Sequence, residues 1–247
     1  MRPVDVETTP ASIIEHVWSA FERDPRIDVR AHPLTLALEN GTLVIEGELA
    51  DVAAKTHAVE LAQVFPEVHR VVDRIVVQAP VKMDDGELRG LYERALLGEI
   101  AFADCRTVVC AEGVEACVHD PLAPRGRLVA TIESGIVTLT GEVPSWGHAR
   151  LAGVLAWWIP GTRAVENELR VDPPEEDTDD EITDAVRTAL EKEPLVDADQ
   201  IAVRTAGARV TLSGTLPSDE QRRIAERDAY YVLGVLDVDN RIQVQIP

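Results

Sequence analysis

The chain has 247 residues, 45% of them hydrophobic, and a formal net charge of -20. That length allows one or two ordinary domains, or three small ones, and the apolar fraction excludes wholesale disorder. The acidic surplus excludes a nucleic-acid partner, which needs clustered Lys and Arg, and disfavours simple electrostatic attachment to an anionic membrane.

The opening MRPVDVETTPAS has no apolar core of signal-peptide length. No stretch approaches the roughly 18 apolar residues of a transmembrane segment. Three cysteines, Cys105, Cys110 and Cys117, are too few and too local for a disulfide framework. A cytoplasmic location is therefore expected.

The first repeat spans 9–79. Ile13, Val17 and Phe21 fall on one helical face that ends at Pro25. LTLALEN and TLVIE alternate as strands on either side of a hairpin turn at Asn40 and Gly41. Gly47 follows, and Asp51 is an N-cap type for a second helix. Ala58, Ala62 and Phe65 line one stripe of that helix: small residues that admit a sheet closely, then a larger plug. EVHRVVDRIVVQ reads as a final strand.

Residues 84–103 carry a stripe of Leu88, Leu91, Tyr92, Ala95 and Leu96. The stripe predicts an extra linker helix outside any repeat. The second repeat spans 106–172. Val109, Gly113 and Cys117, ending at Pro121, align with the opening helix of the first. LVATIES and IVTLT then flank Ser134–Gly135, Gly141 follows, and Ser145 caps a helix bearing Ala152, Ala156 and Ile159. Gly161 marks the helix exit before a last strand through Val165 and Leu169.

VDPPEEDTDDE supplies an exposed acidic linker over 173–179 and merges into the next helix start. A calcium loop there lacks the fixed ligand spacing such loops require. The third repeat spans 180–246. It runs through Ile182, Val186 and Leu190 to Pro194, then IAVRTAG, RVTLS and Gly214. Ser218 with Gln221 makes a capping-box pattern, followed by Ala225, Ala229, Val232 and Gly234. Pro121 to Pro194 and Gly141 to Gly214 are each 73 residues apart, a repetition that marks tandem modules.

The glycine after the second strand, the capped helix and the exit into a last strand resemble the BON (bacterial osmoprotection and nodulation) domain family. VTLSGTLPS with Gly234, Val235, Val238 and Asn240 carries the likeness best; VTLTGEVPS with Gly161, Val165 and Asn167 follows. The first copy departs from it, with Glu67 for the exit glycine and Asp73 for the asparagine. The resemblance implies an α+β fold: three tandem small α-β-β-α-β sandwiches, each two helices on a three-stranded mixed sheet. It also implies non-enzymatic bacterial binding modules, stress-linked, that associate with phospholipid or in some cases sense ions such as potassium. It brings no catalytic residues and no cofactor. The expected partners are a protein or a phospholipid surface, with self-association open.

Few residues stand out chemically. The cysteine run with His119 fits no zinc spacing, and Cys117 aligns with Phe21 and Leu190, which reads as a small buried hydrophobe. Six histidines are scattered, away from any nucleophile motif. Gly47, Gly141 and Gly214 read as sites of backbone turns or close approach, and Gly161 and Gly234 as left-handed helix exits. Trp157–Trp158 and Tyr230–Tyr231 align at helix ends. Helix neighbours diverge by about 100°, so at least one ring of each pair is expected toward solvent, another domain or a partner, a membrane included.

Overall fold

A computed structural model describes residues 9–245 of the chain. Most of the opening segment read for an export signal lies outside those residues. The chain divides into two compact units, residues 1–78 and 79–247.

The first unit holds α1 (Pro10–Arg23), β1 (Leu34–Glu39), β2 (Thr42–Leu49), α2 (Val52–Gln63) and β3 (Arg70–Val77). β2 lies centrally, antiparallel to β1 and parallel to β3. Ile13, Val17 and Phe21 of α1 and Ala58 and Ala62 of α2 are buried over Leu43, Ile45 and Ile75 of the sheet. The alanine stripe has the expected role, because both alanines are fully covered.

The second unit opens with α3 (Asp85–Gly98), then β4 (Cys105–Ala111), β5 (Val114–His119), β6 (Gly126–Glu133), β7 (Ile136–Val143) and α4 (Trp146–Trp157). Its next elements are β8 (Ala164–Asn167), β9 (Arg170–Val171), α5 (Asp179–Lys192), β10 (Ile201–Ala206), β11 (Arg209–Leu216), α6 (Asp219–Tyr230) and β12 (Asp237–Val244). The α+β class and the tandem organisation are as expected. The outer sheets are three-stranded, β1-β2-β3 and β10-β11-β12. The middle sheet is six-stranded, ordered β5-β4-β6-β7-β8, with β9 also paired to β7.

Two expectations for the middle repeat are corrected. Residues around Val109, Gly113 and Cys117 form no helix; they are the β4–β5 hairpin. Its turn places Glu112 (φ 52°) and Gly113 (φ 73°) in the left-handed region, the geometry of a two-residue hairpin. The Thr107–Val108–Val109 run also favours strand. Nor is α3 an appendage between domains. Leu88, Tyr92 and Leu96 are buried in the middle core, as Ile182, Val186 and Leu190 are buried on α5.

A polar contact makes the equivalence of α3 and α5 specific. The Asp85 carboxylate accepts from the N–H groups of Ser134 (2.8 Å) and Gly135 (2.9 Å) in the β6–β7 turn. Asp179 accepts from Gly207 (2.7 Å) and Ala208 (2.9 Å) in the β10–β11 turn. Each aspartate opens its helix and ties that helix to its own sheet. α3 therefore stands to the middle sheet as α5 stands to the last, with the β4–β5 hairpin between α3 and β6.

The motif glycines divide by cause. Gly141 (φ 119°) and Gly214 (φ 144°) sit where a Cβ would lie 2.0 Å from the Arg127 carbonyl oxygen and 1.9 Å from that of Gln200. Gly47 (φ 147°) faces Pro33 in the same way. Gly234 is left-handed (φ 95°), as a helix exit requires. Gly161 is not: a Cβ there would meet Met83 Cβ at 2.7 Å, so close packing demands this glycine.

Candidate functional site

The richest cluster of polar and aromatic side chains lies within the second unit, where the middle repeat meets the last one. α4 makes this junction. Most surface helices keep a polar face, but WGHARLAGVLAW is apolar nearly all round, and every residue from Ala149 to Ala156 is buried. One side of α4 lies on its own sheet and the other against α5.

Arg150 is the buried ion of the junction, with its side chain 1% exposed. Its Nε donates to the Leu233 carbonyl at 2.9 Å, and one Nη donates to Asp177 of the acidic linker. Its guanidinium lies 5.4 Å from the centre of the Trp146 ring. The Trp146 indole N–H in turn donates to the Glu175 carbonyl at 3.2 Å. The linker is exposed, as its composition implies, and it is also pinned to α4. A salt bridge of 2.7 Å joins Lys192 at the end of α5 to Glu99 just after α3.

The aromatic pairs sit at the far end of α4 and α6. Trp157 and Tyr231 stack with ring centres 5.4 Å apart and planes 10° from parallel. Arg227 covers Tyr231 at 5.7 Å. Trp158 packs against the middle core. Tyr230 is 8% exposed; its hydroxyl donates to Asp237 at 3.3 Å and accepts from the Val238 N–H at 3.2 Å. Burial pushes its phenol up to about 12. Of the four rings, Trp157 and Tyr231 are half-buried against each other across the junction, and Tyr230 is turned inward.

Behind the stack lies Asp228, fully buried on α6. Burial raises its carboxyl to about 6, against the pull of Arg227, whose guanidinium donates to it at 3.0 and 3.1 Å. Glu193 adds to the rise and shares Arg227 at 3.8 Å. No motif flagged Asp228, because one acid in a helix as charged as DEQRRIAERDAY carries no sequence signal.

At the other end of α4 a cavity of about 240 Å³ opens between α4 and α5. Leu151, Val154, Ala185 and Ala189 form its apolar walls, with His148 and Glu181 beside them. His148 Nδ1 is bonded to the Ser145 hydroxyl at 2.7 Å, and its ring meets Phe102 edge-on. Ser145 is the N-cap of α4, so this Ser–His contact belongs to the cap.

The cysteines scatter. Cys105 is fully buried, and burial followed by the neighbouring Asp104 pushes its thiol up to about 11. Cys117 is exposed on β5, which corrects its reading as a buried hydrophobe; the supposed helical register does not exist there. All three thiols are free. Among the described residues, no group of three or more His, Cys, Asp and Glu could hold a metal ion. Also among these residues, no helix is long and apolar enough to cross a membrane.

The asparagine of the last strand, read only as a family mark, has a defined task. Asn167 donates to the Ala149 carbonyl on α4 at 2.7 Å and accepts from its own Leu169 N–H. Asn240 does the same toward Arg222 and Ile242. Asp73, its counterpart in the first repeat, can accept but cannot donate. There Lys55, at the aligned helix position, closes the gap by pairing with Asp73 at 2.8 Å.

A sequence profile described as BON domain matches residues 10–79, 115–173 and 178–246. Its middle match begins inside the hairpin and leaves out α3. Two solved structures of CdsD, a structural protein of the type III secretion system of Chlamydia trachomatis, are similar to the chain. One, the C-terminal domain, shows 13% identity over 100% of both chains with a TM-score of 0.25. The other shows 14% identity over 94% of this chain and 92% of that one, also at 0.25. Among curated proteins none matches.

Proposed function

From the premise that the chain belongs to the BON domain family, we propose that it is a non-enzymatic binding and scaffold protein whose middle and last repeats act as one tandem body. The middle repeat is taken to begin at α3. One observation supports the reading above the others: the side chains best suited to chemistry are used to join two repeats. Arg150 bridges α4 to Asp177 and to Leu233, and Trp157 stacks on Tyr231. A buried, hydrogen-bonded guanidinium is costly unless its partners stay in place, so it fixes one arrangement. A scaffold needs such fixed spacing between its surfaces. The three free thiols accord with a reducing compartment such as the cytoplasm.

A phospholipid surface is the second reading. Trp157, Trp158 and Tyr231 are half-exposed, Trp157 and Tyr231 against each other, and such rings suit a membrane interface. Vesicle flotation separates the two. With vesicles of phosphatidylglycerol and phosphatidylcholine, the scaffold reading expects the protein to stay in the dense fraction. Flotation by the native chain that disappears in Trp157→Ala would replace it with the phospholipid reading.

A further inference from the structure

The cavity between α4 and α5 opens in the seam of the two repeats, and its walls suit a ligand. We propose that it binds a small amphiphilic ammonium ion, a protonated amine on a short aliphatic body. Leu151, Val154, Ala185 and Ala189 offer the apolar surface. Room exists there because α5 carries Ala185 where α3 carries Leu91 and α1 carries His16. At about 240 Å³ the space lies below the range of about 300–1,000 Å³ typical of drug-sized ligands, so the occupant is small.

The sign of the charge comes from Glu181. Its counterpart on α3, Glu87, closes a capping box by accepting from the Asp84 N–H at 3.2 Å. Glu181 holds the same position on α5, half-buried, yet its carboxylate makes no hydrogen bond or ion pair among the described residues. It borders the cavity instead. A half-buried carboxylate beside an apolar wall attracts a cation more strongly than one in open water. Asp184 adds negative charge on the same wall, partly offset by Arg187 at 3.3 Å. Arg150 also borders the cavity, but Asp177 matches its charge.

Titration of the ¹⁵N-labelled full chain with hexylammonium, hexanoate, ammonium chloride and potassium chloride tests this. Hexylammonium should give saturable shifts centred on the amides of Val154, Ala185 and Ala189. Hexanoate should bind at least tenfold more weakly, and ammonium or potassium without an apolar body should leave these amides unmoved. Glu181→Gln should weaken hexylammonium roughly tenfold. Ala185→Leu, which fills the space, should abolish the shifts, with each variant's unfolding midpoint recorded as a check on folding. If Ala185→Leu does not fold, Glu181→Gln decides. Equal affinity for hexanoate, unchanged affinity in Glu181→Gln, or no saturable shift with hexylammonium would overturn the proposal.

Discussion

Single residues explain how three divergent copies reach one fold. The Asn contact between last strand and second helix can be made by an amide, or by an ion pair in which the partner helix supplies the donor. Lys55 with Asp73 is the second solution and Ala149 with Asn167 the first. The two are interchangeable only as pairs. Lys55→Ala alone is expected to cost about 1–3 kcal/mol, because it leaves a half-buried carboxylate without its cation. Asp73→Asn should destabilise the chain when Lys55 is present and stabilise it when residue 55 is alanine. A double-mutant cycle by urea unfolding of the first unit should give a coupling of about 1 kcal/mol or more. Additive effects would show that the contact is ornamental. This substitution was visible in the sequence as an anomaly at Asp73, but its compensation was not, because the partner lies far off in sequence, on α2.

At the scale of elements, the alternating strands, the N-caps and the alanine stripes were all legible, since each has its own period or residue signature. The opening of the middle repeat departs from its sequence pattern for a physical reason. Val109, Gly113 and Cys117 happen to share helical spacing, and the matching proline at Pro121 reinforced the alignment. A Glu–Gly step after the β-branched run Thr107–Val109 is the competing turn signal, and the turn forms there. The stripe of α3 was seen, yet its owner was not, because an inserted hairpin breaks the constant spacing on which repeat detection depends. Tyr92 tests the assignment. Its hydroxyl donates to the Ala152 carbonyl of α4 at 2.9 Å, and burial pushes the phenol far above its ordinary range. Tyr92→Phe is expected to cost about 0.5–1.5 kcal/mol in denaturant unfolding of the second unit. Leu97→Ala, on the exposed side of the same helix, should stay within about 0.5 kcal/mol. Equal effects would mean that α3 does not belong to the middle core.

For the whole molecule, what matters is which repeats behave as one. Three equal modules were the natural expectation from three equal motifs. The arrangement is uneven because α4 lacks a polar face: WGHARLAGVLAW must be covered on two sides, whereas VAAKTHAVELAQ and DEQRRIAERDAY keep charged residues for solvent. That asymmetry was readable in the sequence, though not which helix would cover it. The aromatic pairs stand out in the sequence, and the structure sets Trp157 of one pair against Tyr231 of the other. Differential scanning calorimetry of the full chain with and without Arg150→Ala addresses the tandem body most directly. Two transitions are expected for the native chain, one for each compact unit, and Arg150→Ala should lower the second and split it. Three transitions in the native chain, or an Arg150→Ala trace that leaves the second transition whole and unshifted, would contradict the account.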